Sequence, residues 1–268
     1  MKFLRAVLHF ILSWLPVIIV VLILRAFVVE AFMVPTPSME ETIMTGDFLL
    51  VNKFIYGIKM PFTNKTLIPI TNPKPGDIVV FRYSLDPSEP EPKENYIRLF
   101  PKFLPLLPLY WNKTTNFFTW YMPRNFVKRC VAVEGDTVEI RNKRLYVNGK
   151  LKIEPYVQHI DRRVFPPPLS VPEHYQTQWE QGKFLTSPEG FYFRDNFGPV
   201  VVPKGTIFGM GDNRDNSSDS RFFGPIPLKY VKGKPMVIYF SSSAAPNIAR
   251  IILSPRQIQW QRIGLIIK

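Results

Sequence analysis

A chain of 268 residues that is 46% hydrophobic and 14% aromatic can bury a sizeable core, which excludes global disorder. Its formal net charge of +13 suits nucleic acid or an anionic membrane surface, but the basic residues are dispersed, and the absence of any zinc-finger, helix-turn-helix or RNA-recognition signature sets nucleic acid aside. Cys130 is the only cysteine, and His9, His159 and His174 fall in no metal-binding spacing, so no disulfide, metal or cofactor is expected.

Residues 6–24, between Arg5 and Arg25, form an apolar run whose one titratable side chain is His9. About 20 helical residues at 1.5 Å each just cross a hydrocarbon core of roughly 30 Å. A cleaved signal peptide would have a shorter apolar region ending in small residues. Residues 25–30 (Arg-Ala-Phe-Val-Val-Glu) offer no such exit, so the expectation is an uncleaved transmembrane helix over 6–27. Lys2 and Arg5 before the run favour a cytoplasmic segment at 1–5, which leaves 28–268 as an extracytoplasmic domain.

Beyond the run, helical periodicity is scarce and the 27 prolines mark turns and loops. Strands are predicted over 47–53, 78–81, 126–133, 200–202, 207–210 and 237–240, and 138–151 reads as a hairpin turning at Asn148-Gly149. Two proline-rich stretches, about 84–123 and 155–199, read as insertions, the second as a smaller, less regular subdomain. Within the first, Ile97–Trp111 is either an ordinary core or loop segment or a proline-stiffened loop that dips into the membrane interface. The fold class is thus mainly β: a transmembrane helix, then an antiparallel β-sheet core with an inserted β/loop subdomain.

Three segments bear chemistry. Ser38 stands in Pro35-Thr36-Pro37-Ser38-Met39, which by itself is equally an ordinary turn. Lys128 interrupts an apolar strand; strict alternation gives it a face with Phe126, Cys130 and Ala132, opposite Val127, Val131 and Val133. There it either snorkels from an edge or is buried. Burial disfavours the ammonium form, and lowering its pKa to roughly 8 costs on the order of 3 kcal/mol. The neutral amine is then a base matched to ambient pH. The third segment, Gly211–Arg221, fails the calcium-loop spacing and is either a solvated turn or a polar loop at the edge of a core.

Together with Gly46-Asp47 and Pro75–Phe81, these segments resemble, in order and placement, the motifs of the bacterial type I signal peptidases. The resemblance covers most of the chain outside the two proline-rich stretches. It implies a membrane-anchored serine endopeptidase that removes signal peptides from exported preproteins, on the outer face of the cytoplasmic membrane. Carried over by position, Ser38 is the nucleophile and Lys128 its general base. The Ser38 N–H and Thr36 hydroxyl form the oxyanion hole. Ser217 orients the lysine, while Asp219, Arg221 and Asp212 brace the loop. Phe32, Val34, Met39, Ile43, Leu49, Phe126 and Val127 line shallow pockets for Ala-x-Ala. Glu41 departs from the family's usual proline, and Thr36 stands where serine is frequent. A self-cleaving serine/lysine regulator and a non-catalytic anchored scaffold are the alternatives.

Overall fold

The computed structural model describes residues 9–10, 12–17, 20, 28–59, 66–82, 96–98, 109–113, 116–120, 125–168, 172–187, 190–243 and 255–268. The segment expected at 1–5 and most of the span expected at 6–27 lie outside these. Residues 12–17 are helical, and among the described residues no helix is long and apolar enough to cross a membrane.

The strands in chain order are β1 (Val29–Met33), β2 (Asp47–Asn52), β3 (Ile58–Lys59), β4 (Thr66–Ile68), β5 (Ile78–Arg82), β6 (Tyr96–Arg98), β7 (Leu109–Asn112), β8 (Phe117–Trp120), β9 (Asn125–Val133), β10 (Thr137–Arg141), β11 (Arg144–Val147), β12 (Lys150–Leu151), β13 (Phe197–Val201), β14 (Thr206–Met210), β15 (Ile226–Pro227) and β16 (Val231–Ser241). The main antiparallel sheet has the order β1-β2-β16-β5-β9-β14-β15, and a second has the order β12-β11-β10-β13. The described fold is mainly antiparallel β, as expected. Short helices α1 (Tyr175–Glu180) and α2 (Ser220–Phe223) complete the core.

β5 shows no polar alternation because both of its faces are covered. Ile78 and Val80 join Val34, Met39, Ile43, Leu49, Val51 and Ile238 on one face, with Phe32 and Val127 packed against them. Val79 and Phe81 join Cys130, Ile207 and Ile226 on the other, with Phe126 against them. A third cluster fills the space between the sheets with Val131, Ala132, Phe208 and a set of aromatics.

β9 departs from strict alternation. Its ladder with β14 slips between Phe208–Ala132 and Gly209–Cys130, leaving Val131 as an extra residue. This bulge brings Val131 and Ala132 into one cluster and returns Val133 to that of Cys130. The region expected as one hairpin is a three-stranded meander. Its first turn is at Asn142-Lys143, both with positive φ, and Asn148-Gly149 makes only the second, short turn to β12. The closing strand begins at Val231, six residues earlier than expected, because its register shifts around Pro235 spare the ladder an N–H that proline lacks.

Of the stretch at 84–123, the described parts β6, β7 and β8 form their own antiparallel sheet, with Trp111 edge-on to Phe118. Residues 99–108 of the Ile97–Trp111 stretch lie outside the described residues. The stretch at 155–199 is irregular only in its first part. From Tyr175 onward it supplies Trp179, Phe184, Phe193 and Phe197 to the third cluster, so these aromatics are core.

Trp179 is fully buried, stacks on Phe208 and donates from Nε1 to the Ser220 carbonyl at 2.6 Å. Trp179→Ala is expected to cost about 3–5 kcal/mol, measured as the shift in urea unfolding free energy.

Candidate active site

The segment after β1 turns tightly. Thr36 is extended (φ −134°, ψ 150°), and Pro37 opens a 3-10 turn over Pro37–Met39, where its fixed φ costs nothing. The turn's first internal bond runs from the Glu40 N–H to the Pro37 carbonyl, so the N–H of Ser38 precedes it and is one of the turn's orphan donors. Met39 and Ile43, both fully buried, pin the turn to the apolar face of the sheet.

Lys128 lies mid-strand in β9 and is 1% exposed. Its stem passes over Gly209 of β14, where a Cβ would come within 3.2 Å of the Lys128 Cβ and 2.6 Å of Ile226. Only a bare backbone leaves that path open. Nζ reaches Ser38 Oγ at 2.6 Å, joining residues 90 apart in sequence. Burial lowers the Lys128 pKa from 10.5 to about 8; the nearby Asp219 and Asp212 carboxylates oppose this, and the Arg221 guanidinium adds to it.

Each of those carboxylates has its own guanidinium. Asp219 takes two bonds of 2.8 Å from Arg221, which also donates to the Arg194 and Arg214 carbonyls. Burial pushes the Asp219 carboxyl up, but Arg221 outweighs it and holds the carboxyl below its usual range. Asp212 does not share that pair. It takes bonds of 2.9 and 2.7 Å from Arg129 and a third of 2.6 Å from the Thr42 hydroxyl. The expected single bracing network is therefore two, because β9 presents Arg129 right beside Lys128.

Ser217 is buried against Gly211, but its Oγ makes no hydrogen bond to Lys128 or to any other described group. It lies near enough to Asp219 to help hold that carboxyl down. The expected lysine-orienting bond is absent because the Ser217 side chain packs on the Gly211 backbone instead. Thr36 is exposed, and its hydroxyl makes no capping bond. Of the expected pocket residues, Val34, Met39, Ile43 and Leu49 are buried on the apolar face, and Phe32 and Val127 are its half-buried rim. Phe126 points to the opposite face, against Phe81, as the alternation of β9 dictates.

Several positioning groups escaped the sequence reading. Asn213 donates from its N–H to the Ser38 carbonyl and from Nδ2 to that of Pro37, at 3.2 and 3.3 Å. Gln158 clamps the same loop through backbone bonds to Asp212 and Arg214. Arg262 grips Asp47 through Nε and Nη2, and Asp47 caps Met44 of the segment after the turn. A signal existed for Arg129: a buried guanidinium in an apolar strand needs a carboxylate, and Asp212 had already been singled out. Among the described residues no cluster of histidine, cysteine or carboxylate side chains could hold a metal.

Residues 7–240 match the family described as signal peptidase, peptidase S26. A signal peptidase I of Pseudomonas aeruginosa is 35% identical over 256 residues, which covers 89% of this chain and 76% of that protein. One of Aquifex aeolicus is 30% identical over 264 residues, covering 90% of this chain and 89% of that protein. A solved signal peptidase I of Enterococcus faecalis V583 is 21% identical, covers 62% of this chain and 97% of that one, and superposes at a TM-score of 0.32.

A Cβ on Gly211 would lie 2.3 Å from Ser217 Oγ and 2.4 Å from the Ser38 carbonyl oxygen. Gly211→Ala is expected to push the Ser38 turn away from Lys128 and lower peptidase activity about a hundredfold, as displacements near 1 Å do. Steady-state cleavage assays measure the loss, and the unfolding midpoint separates it from global unfolding.

Proposed function

Because the chain belongs to the signal peptidase family of peptidases, S26, we propose that it removes signal peptides from exported preproteins with a Ser38–Lys128 dyad. The observation that carries this reading is the 2.6 Å contact between Ser38 Oγ and a fully buried amine whose pKa burial lowers to about 8. A protonated amine has no lone pair to offer, whereas a neutral one accepts the Ser38 proton as Oγ attacks the scissile carbonyl carbon. Charge on the carbonyl oxygen is met by the Ser38 N–H and the Thr36 hydroxyl, donors worth a few kcal/mol of barrier each. The Lys128 ammonium then protonates the leaving amine, and water activated by the regenerated base releases the acyl group. No metal or cofactor takes part.

Small-residue specificity of the Ala-x-Ala kind is supported by how full the apolar face is. Val34, Met39, Ile43 and Leu49 are already buried there, with Phe32 and Val127 packed against them, so a side chain bound on this face is held to a small one. The membrane reading rests on the apolar run at 6–24: a single span there anchors the catalytic domain at the outer surface of the cytoplasmic membrane. Tethering raises the effective concentration of a cleavage site that emerges beside it.

The neutral fraction of Lys128 sets the rate. Cleavage of a preprotein is expected to rise about tenfold per pH unit below pH 8 and to level off above it. A flat profile from pH 6 to 9 would sink the dyad. Because the folded pKa lies below the unfolded value of 10.5, the unfolded chain holds the extra proton between pH 8 and 10.5, so folding stability rises with pH in that window. Below pH 8 the full penalty stands, about 3 kcal/mol for a fully buried amine. Lys128→Met is therefore expected to abolish cleavage yet raise the unfolding free energy at pH 7, with the gain shrinking between pH 8 and 10.5.

A further inference from the structure

Asn213 grips both of the peptide units that flank Ser38. Its N–H donates to the Ser38 carbonyl at 3.2 Å, and its Nδ2 donates to the Pro37 carbonyl at 3.3 Å. The second bond bears on a group at the other side of the same peptide. The Pro37 carbonyl and the Ser38 N–H belong to one planar unit. Among the described residues the only cis bond is Gly198–Pro199, so this unit is trans. In a trans peptide the C=O and the N–H point in opposite directions. Whatever holds the Pro37 carbonyl therefore aims the Ser38 N–H away from itself.

The Pro37 carbonyl also accepts from the Glu40 N–H at 3.2 Å, so both of its lone pairs are in use. Turning this peptide over would break both bonds, and the next peptide is held in turn by the Asn213 N–H. Bonds accepted by a carbonyl also polarise the peptide and strengthen its N–H as a donor. Among the described residues nothing accepts from the Ser38 N–H, so it is free to serve.

Asn213 itself is 1% exposed and pinned through both neighbours. Gln158 bonds by its backbone to the Asp212 carbonyl at 2.8 Å and to the Arg214 N–H at 3.0 Å, a single parallel rung with Asn213 at its centre. Asp212 is held by Arg129, and Arg214 by Glu154, each at 2.7 Å. The amide has one orientation, because a half-turn would set Oδ1 against the Pro37 oxygen, acceptor against acceptor. Oδ1 is buried with no partner among the described residues, so the Pro37 contact is the side chain's one hydrogen bond there. Burying an unmatched amide oxygen disfavours folding, so stability is not what this side chain supplies.

We propose that Asn213 is a positioning residue of the oxyanion hole: by holding the Pro37 carbonyl, it aims the Ser38 N–H at the oxygen of the scissile carbonyl. It acts through a peptide plane and bonds to neither Ser38 Oγ nor Lys128 Nζ. The inference rests on the Ser38–Lys128 reading and deepens it.

Asn213→Leu keeps the side chain's bulk and removes the donor, and Asn213→Ala serves in its place if the leucine variant does not fold, as unfolding midpoints report. In the full chain in detergent, kcat for a preprotein is expected to fall about thirtyfold, less than deletion of an oxyanion donor costs, because the N–H is misaimed and not lost. KM should stay within about twofold, the mark of an interaction made only in the transition state. The pH profile should keep its midpoint at about 8, since Lys128 stays buried. A peptide aldehyde ending in alanine adds the Ser38 Oγ to its carbonyl carbon and sets the resulting oxygen in the hole. Its affinity should fall about thirtyfold with kcat, while the preprotein's affinity for the Ser38→Ala form should not change when Asn213→Leu is added. A misfolded fraction would lower kcat but move neither dissociation constant.

Unchanged aldehyde affinity overturns the inference, and so does a shifted pH midpoint, which would place Asn213 on the dyad instead. A crystal structure of the leucine variant reads the same point without catalysis: the Pro37–Ser38 peptide is expected to turn, and an undisturbed plane overturns the role. Cleavage that survives Lys128→Met sinks the dyad, and the peptide plane is read separately from it.

Discussion

Burying one amine constrains everything around it. An ammonium deep in the fold seeks a carboxylate, and Asp219 and Asp212 are close enough to raise its pKa. If either stood alone, Lys128 would keep its proton and form an ordinary buried ion pair. Each is instead held two-pronged by a guanidinium, Asp219 by Arg221 and Asp212 by Arg129, so its charge is largely spent before it reaches the amine. Desolvation then decides the balance. Removing either arginine would free a carboxylate for the lysine, so the two pairs set the charge of the amine as much as they brace the loop.

Geometry is fixed by the same groups. Arg221 ties the loop to the Arg194 and Arg214 carbonyls, Asn213 ties it to the Ser38 turn, and Gln158 crosses it by backbone bonds. On the other side Arg262 holds Asp47, which caps the segment that follows Ser38. The reacting side-chain atoms of Ser38 and Lys128 are thus held from several sides by groups that bond to neither atom, Asn213 gripping Ser38 only through its backbone carbonyl. Glycine appears where side chains must pass closest, at Gly209 beneath the lysine stem and Gly211 beneath the Ser38 carbonyl.

What could be read from the sequence follows from how local each signal is. The continuous apolar run of β5 and the motif order announced a sheet and paired Ser38 with Lys128, whose atoms are in contact. Asn148-Gly149 announced a turn but not its rank, because Asn142-Lys143 adopts the same left-handed backbone without a glycine to advertise it. Phe126 was assigned to the substrate pocket by resemblance, although its parity with Cys130 in β9 already put it on the opposite face from Val127. The slip at Val131 depends on how β14 pairs with β9, and no property of β9 alone encodes it. The partners of Asp212 and Ser217 were not legible for a related reason: a loop rich in Asp, Asn and Ser offers many equivalent partners, and packing on Gly211 and pairing with Arg129 select among them.

The ninety residues of chain between the two members of the contact carry a consequence for the nascent protein. Lysine in an open chain is hydrated and charged, a poor base at neutral pH. Burial lowers its pKa only once β9 and β14 have paired around it, and that pairing joins residues far apart in sequence. On the proposed dyad, the open chain is therefore inactive, and completion of the sheet is the step that brings the amine and the hydroxyl together.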